Sequence, residues 1–342
     1  MKNNRRTDRL CHSPPVIKTP VLSKHWPRGL QSPLPCLVFA SMSCTKIDPA
    51  LHQPRKPDWI RVRLPSNPVF FSTKALVSDL KLHTVCEEAQ CPNRWECWSQ
   101  GTATFMIAGD RCTRACGFCA VTTAKPFPLE ADEPQRVAEA VRRMKLKHVV
   151  ITAVARDDLK DGGARHFAQT IEAIRAMDPT VTIEVLTPDF HAKDELLQLV
   201  VAANPRIFNH NLETVERLTP LVRSRAKYRR SLEVLAKVKV MEPSIVTKSG
   251  LMLGLGETAE ELFEAMDDLR QSGVQVLTLG QYLRPSPQHL PVVEYIRPEV
   301  FEQHKEVAYG KGFEHVASGP LVRSSYHAAD YKPNALGKTS SD

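Results

Sequence analysis

The chain has 342 residues, 42% apolar and 25% charged, a composition ordinary for a folded protein and long enough for one large α/β domain with extensions. No apolar run approaches the ~18 residues that span a bilayer, so no membrane helix is expected. The net charge of +8 is uneven: residues 1–41 hold seven Lys and Arg against Asp8 alone, leaving +2 for the other 301 residues, and a near-neutral body gives little support to nucleic-acid binding.

Residues 1–57 are rich in Pro, Ser and basic residues, show no sustained apolar period, and are expected to be disordered. A basic, acid-poor start suits an organelle transit peptide, but Pro14, Pro15, Pro20, Pro27, Pro33 and Pro35 oppose the amphipathic helix such a peptide needs. No apolar stretch follows the basic start, so no secretory signal is expected. The cytoplasm is the expected compartment, with a mitochondrion or plastid as the alternative. Met42 begins a more ordinary stretch, which makes residues 1–41 a candidate mis-assigned leader. Cys11, Cys36 and Cys44 fall before residue 58 and are given no ligand role.

Residues 58–101 read as a small N-terminal extension, ordered by metal more than by a core of its own. Residues 102–312 alternate strand and helix. Strands are expected at 103–107, 148–152, 181–186, 206–211, 245–253 and 274–279. Helices are expected near 134–146, 192–203, 227–240 and 298–309, with a further one carrying Phe167, Ile171 and Ile174 at helical spacing. Thr258-Ala259-Glu260-Glu261 is a capping box opening another, which Gly273 closes. Six such units imply a parallel sheet with right-handed crossovers, hence a partial (β/α)6 TIM-type barrel with N-terminal and C-terminal extensions. Residues 313–342 form the C-terminal one. Ligand sites belong at the carboxyl ends of the strands.

Six of the nine cysteines crowd into 34 residues. Cys86, Cys91 and Cys97 have spacing C-x4-C-x5-C; Cys112, Cys116 and Cys119 have spacing C-x3-C-x2-C in the loop after the first strand. Without an oxidising compartment these read as metal ligands or catalytic thiols. Structural zinc wants four closed ligands, whereas three thiolates on a 4Fe–4S cluster leave one iron open to a small molecule. Zinc bound with nearby histidines such as His83 is the competing reading.

Cys112-x3-Cys116-x2-Cys119, with Phe118 before the last thiol, resembles the signature of the radical S-adenosylmethionine superfamily, whose fold is a partial barrel. The resemblance narrows to the lipoyl synthase family through Thr84 to Asn93, Glu96-Cys97-Trp98, and Val322-Arg323-Ser324-Ser325-Tyr326-His327-Ala328. It runs in order from about Pro57 to Tyr331, and is not expected to cover residues 1–56. The resemblance implies two 4Fe–4S clusters and S-adenosylmethionine. One cluster, on Cys112, Cys116 and Cys119, would generate a 5′-deoxyadenosyl radical. The other, on Cys86, Cys91 and Cys97 with Ser325 as fourth ligand, would give up sulfur. It further implies insertion of two sulfurs at carbons 6 and 8 of an octanoyl chain on a carrier lysine. Octanoylated lipoyl domains or a glycine-cleavage H protein are the expected carriers, and a flavodoxin or ferredoxin the electron donor. Contacts to S-adenosylmethionine are expected from Phe118, Asn211, Glu213, Gly254 and Glu257. Asp157, Asp158 and Asp161 read as a solvated acidic loop. The alternatives are another sulfur-inserting or methylthio-transferring member of the superfamily, or a zinc-stabilised binding module.

Overall fold

The computed structural model describes residues 55–61, 67–100, 102–326, 328 and 331. The expected disorder up to residue 54, and Cys11, Cys36 and Cys44 with it, lie outside the described residues.

Among the described residues there are ten strands: β1 His83–Thr84, β2 Thr104–Ile107, β3 Arg111–Cys112, β4 Thr122–Thr123, β5 His148–Ala153, β6 Thr182–Leu186, β7 Ile207–Asn209, β8 Val246–Leu253, β9 Val276–Gln281 and β10 His315–Gly319. Eight form one sheet in the order β1-β2-β5-β6-β7-β8-β9-β10, and β3 pairs with β4 apart from it. From β2 to β10 every pairing is parallel, while β1 is antiparallel to β2. The two edges, β1 and β10, do not pair, so the sheet stays open.

The six expected strands are all there, and two more join them. His315–Gly319 follows the helix Pro298–Gly310 and pairs in parallel with β9, making a seventh parallel strand inside the segment expected to be an extension. Its burial pattern is mostly intermediate, which is why no apolar run marks it. The expectation that metal orders residues 58–101 also needs correction. Phe70 and Val77 of the helix Pro68–Asp79, together with Leu82, Cys86 and Trp98, join the main apolar core. Phe70 stacks on Trp95 with centroids 4.7 Å apart.

Successive residues of a strand face opposite ways. One face of the sheet sends Phe105, Ile151, Val185 and Phe208 into a core shared with Val137, Phe167, Leu197 and Val234 of the covering helices. The same face of β8 and β9 packs Leu251, Leu253, Leu277 and Leu279 against Leu262 and Met266. Burying roughly 1.5–3 kcal/mol of side chain at each such position is what holds the helices on the sheet. The opposite face carries Thr152, Leu186, Gly250, Met252, Thr278 and Gly280, which line a cavity. Deeper on that face, Lys248 Nζ lies 2.8 Å from Glu184 Oε1, which also accepts from Asn209 Nδ2 at 3.3 Å. Both charges are buried, so neither is tolerable without the other.

The helix Ala259–Gln271 starts on the predicted capping box, Thr258 Oγ1 accepting from Glu261 N and Glu261 Oε2 from Thr258 N. Gly273, at φ +81°, follows its end.

Candidate functional site

The chain leaves β2 through Ala108, at φ +66°, and both of that residue's backbone groups are held. Its N–H donates to Glu133 Oε2 at 2.8 Å, and its carbonyl accepts from Arg156 Nη1 at 3.0 Å. Glu133 is itself bonded to the buried His166. The loop that follows is stitched to four other segments. Thr113 N donates to Ala155 O at 3.1 Å, and Ala124 N to Cys112 O at 3.2 Å. Gly117 N donates to Val222 O, and Leu290 N to Gly117 O, both at 3.0 Å. His289 Nε2 lies 3.0 Å from Cys119 O.

Inside the loop, Arg114 forms a fork on Asp157, with Nε and Nη2 at 2.8 and 2.7 Å, and Nη2 also reaches Asp189 at 2.9 Å. Asp189 takes Arg230 Nε at 2.9 Å on its other oxygen. Burial alone would raise the Asp189 carboxyl, yet hydrogen bonding and charge from Arg114 hold it well below the usual carboxylate range. So Asp157 is not a solvated acid: it braces the cysteine loop, as Asp158 does through the salt bridge to Arg156. Sequence reasoning missed this network, because an arginine between two cysteines and an aspartate before Phe190 carry no pattern of their own.

Cys112, Cys116 and Cys119 all line the cavity of about 470 Å³ at the carboxyl ends of the strands. Cys91 lines it too, from the other cysteine group. Cys86 is buried in the short helix Val85–Glu88, and Cys97 sits in the helix Arg94–Ser99. The Cys86 thiol, and likewise that of Cys97, is within electrostatic reach of Cys91. The C-terminal turn comes to the same place. Asn93 Nδ2 donates to Leu321 O at 2.6 Å, and Tyr326 Oη to Glu96 Oε1 at 3.0 Å. This docking brings Ser324 and Ser325 to the wall of the cavity that Cys91 also lines, across more than 230 residues of chain. Among the described residues no three His, Cys, Asp or Glu side chains gather tightly enough to ligate a single ion.

The thiols share an electrostatic character. Burial pushes Cys86 and Cys116 up to about 11, and Cys97 and Cys119 up to about 12, with neighbouring thiols adding to it. They are poor nucleophiles as they stand and become ligands only when a metal displaces their protons. Near Cys116, Arg223 works the other way.

Phe118, Asn211 and Glu213 line the cavity. Asn211 Oδ1 is buried without a partner, and burial raises the Glu213 carboxyl against the opposing charge of Arg223. Glu213 sits at φ +68°, pinned by Glu213 N to Gly250 O at 2.9 Å and Met252 N to Glu213 O at 2.8 Å. Gly254 and Glu257 are not among the residues lining the cavity. The Glu257 carboxylate accepts from the Gly254 and Leu255 amides of its own loop. Gly254, at φ +94°, is needed there because a Cβ would stand 2.3 Å from Glu294 O. Gly250 is the glycine of this region that faces the cavity.

Two family models match the chain: the radical SAM superfamily over residues 106–269, and the N-terminal domain of lipoyl synthase over residues 43–91. Lipoyl synthase of Geobacillus kaustophilus strain HTA426 is 58% identical over 275 residues, which cover 80% of this chain and 92% of that protein. Lipoyl synthase of Shouchella clausii strain KSM-K16 is likewise 58% identical, over 80% of this chain and 89% of that one. The chain belongs to the lipoyl synthase family. Membership removes the zinc-module and other-superfamily-member alternatives, and the family match begins at residue 43, earlier than the expected Pro57. Among solved structures, Streptococcus suis SuiB bound to S-adenosylmethionine superposes with a TM-score of 0.50 at 11% identity, covering 66% of this chain and 54% of that one. SuiB bound to the precursor peptide SuiA gives 0.50 at 10% identity, over 63% and 48%. Both likenesses concern the fold.

Lipoyl synthases use S-adenosylmethionine and 4Fe–4S clusters, and the residues here fit those groups. The donor sets are three thiols, and three thiols with a serine hydroxyl close by. The unpartnered Asn211 Oδ1 and the Glu213 carboxyl offer acceptors to a ligand carrying an ammonium and ribose hydroxyls.

Proposed function

We propose that this chain completes the lipoyl group on carrier proteins, inserting two sulfur atoms at carbons 6 and 8 of an octanoyl chain held on a carrier lysine. The observation that carries the reading is one cavity reached by Cys91 and Ser325 from one side and by Cys112, Cys116 and Cys119 from the other. In this reading Cys112, Cys116 and Cys119 hold one 4Fe–4S cluster, and Cys86, Cys91, Cys97 and Ser325 hold the second. With S-adenosylmethionine, these groups supply what no side chain can: a radical strong enough to take hydrogen from an alkyl carbon, and the sulfur that replaces it.

The chain's own residues do the rest. The bracing of Ala108, Arg114 and Gly117 fixes the Cys112 loop, so its thiols are held in place before any group arrives. Asn211 and Glu213 present acceptors across the cavity from that loop. Val85, Ala89, Met106, Val121 and Val154 give an apolar wall suited to an alkyl chain and hostile to water. Exposed Lys56 and buried Met106 line the same cavity, so it runs from the surface to the interior, as a chain tethered to another protein requires.

For carriers we propose a lipoyl domain of a dehydrogenase complex or a glycine-cleavage H protein, and for the electron donor a flavodoxin or ferredoxin. Among the described residues no helix is long and apolar enough to cross a membrane. The six cysteines among the described residues are free thiols, which suit a reducing compartment, for which we propose the cytoplasm. The test is anaerobic reconstitution, then incubation with S-adenosylmethionine, reductant and an octanoylated lipoyl domain. The carrier is expected to gain the mass of two sulfurs; a carrier of unchanged mass, with the clusters loaded, refutes the proposal.

A further inference from the structure

Arg323 is a half-buried cation with no carboxylate partner among the described residues. Its side chain lines the cavity beside the first cysteine group. Its one hydrogen bond runs from Nη1 to the carbonyl of Val322, its chain neighbour, at 2.6 Å. No carboxylate among the described residues pairs with it, and the one group whose charge bears on it is Cys91. The other arginines of the site are answered: Arg114 by Asp157 and Asp189, Arg156 by Asp158, and Arg223, which donates to Leu212 O and Ser231 Oγ, by the nearby charge of Glu213.

The position is built. The turn bearing Arg323 is held by Val322 N to Gly319 O at 3.1 Å, by Tyr326 N to Arg323 O at 2.9 Å, and by the bonds from Asn93 and to Glu96. On β9, Gly280 makes room for it. A Cβ there would stand 2.1 Å from Val322 O and 3.3 Å from Arg323 Nη1. A half-buried guanidinium that faces a cavity, with no counter-charge among the described residues, is disfavoured. What the site lacks is negative charge. A cluster on three thiolates and a serine oxygen brings it, because its four anionic ligands outweigh the positive charge of its iron–sulfide core.

We propose that Arg323 is the counter-charge for the cluster held at Cys86, Cys91 and Cys97, a positioning residue that governs that cluster's retention and reduction potential rather than a brace for the turn. This rests on the two-cluster reading above. A positive charge beside a cluster favours the reduced state, so its loss moves the potential to more negative values.

The test compares wild type, Arg323→Lys and Arg323→Gln as full chains reconstituted anaerobically, by iron content and by redox titration followed by electron paramagnetic resonance. The other cluster's signal is recognised by its response to added S-adenosylmethionine. Wild type is expected to hold about eight irons. Arg323→Gln is expected either to keep them with a more negative potential at the unresponsive cluster, or to lose about half of them. Arg323→Lys, which keeps the charge, is expected to restore both. Arg323→Gln with full iron and an unchanged potential overturns the proposal, as does loss of iron in Arg323→Lys and Arg323→Gln alike, which is the mark of a brace. A wild type that takes up only about four irons overturns the two-cluster reading itself.

Discussion

Replacing Asp189 by Asn tests whether the charge network behind the cysteine loop holds that loop in place. Asp189 is fully buried and joins Arg114 and Arg230, at 2.9 Å each, while its Oδ1 also accepts from His191 N at 3.2 Å. Asparagine keeps the shape and one acceptor but removes the charge. Breaking a buried pair by neutralising one partner costs about 3–5 kcal/mol, since the other charge stays behind. Here Arg114 retains its fork on Asp157, and Arg230 is 18% exposed, so the low end, about 3 kcal/mol, is expected. For a domain of this size that lowers the melting temperature by roughly 6–12 °C. The sign with pH follows from the depressed carboxyl. The stabilisation is present above the unfolded carboxylate value, near ~4, and is lost only as pH falls through the lower folded value, so the deficit is flat between about pH 5 and 8. The assay is thermal melting by circular dichroism at pH 7, with iron content measured after reconstitution. Lys305→Ala, which removes a surface pair with Glu302, serves as control and should stay within about 0.5 kcal/mol. If Asp189→Asn melts within about 2 °C of wild type, the network is not what holds the loop.

His210 is buried, with Nδ1 donating to Thr187 O at 2.8 Å and Nε2 accepting from Ser231 Oγ at 3.0 Å, and burial with the charge of Arg223 brings it down to about 4. The unfolded chain therefore binds a proton below about pH 6.5 that the fold refuses, so stability should fall by about 1.4 kcal/mol per pH unit from there toward the folded value. Urea unfolding at pH 7 and 5.5 checks this; His210→Gln should flatten the slope, and an unchanged slope contradicts it. Ser325→Cys is expected to keep its iron but lower sulfur insertion, because a thiolate leaves iron less readily than an alkoxide; undiminished lipoylation with full iron counts against Ser325 as the labile ligand. Thr258→Ala removes the cap of an outer helix, and should cost about 1 kcal/mol in denaturant titration while leaving sulfur insertion per cluster unchanged.

The strands and helices were legible because burial of one face imposes a period that local sequence must obey. The helix Tyr228–Met241 and the capping box at Thr258 lie within a residue or two of where the pattern puts them. β10 was not, because His315–Gly319 lies at the sheet edge with only Val316 fully buried, so its partner β9 marks it as a strand where composition does not. Gly254 and Glu257 are ambiguous in sequence for a related reason. A glycine and a glutamate after a strand look alike whether they serve a ligand or their own turn, and here Glu257 binds the loop's amides.

By itself the sequence determined the two cysteine groups, the order of strand and helix, and the family, since ligand spacing and apolar period are short-range properties that any stretch of chain displays. Only the tertiary structure decided that Ser325 and Cys91 line one cavity, that Asp157 and Asp189 answer Arg114, and that no carboxylate among the described residues pairs with Arg323. Those are pairings between residues tens to hundreds of positions apart. Their energies depend on distance and on exclusion from water, which exist only once the sheet has brought the strand ends together.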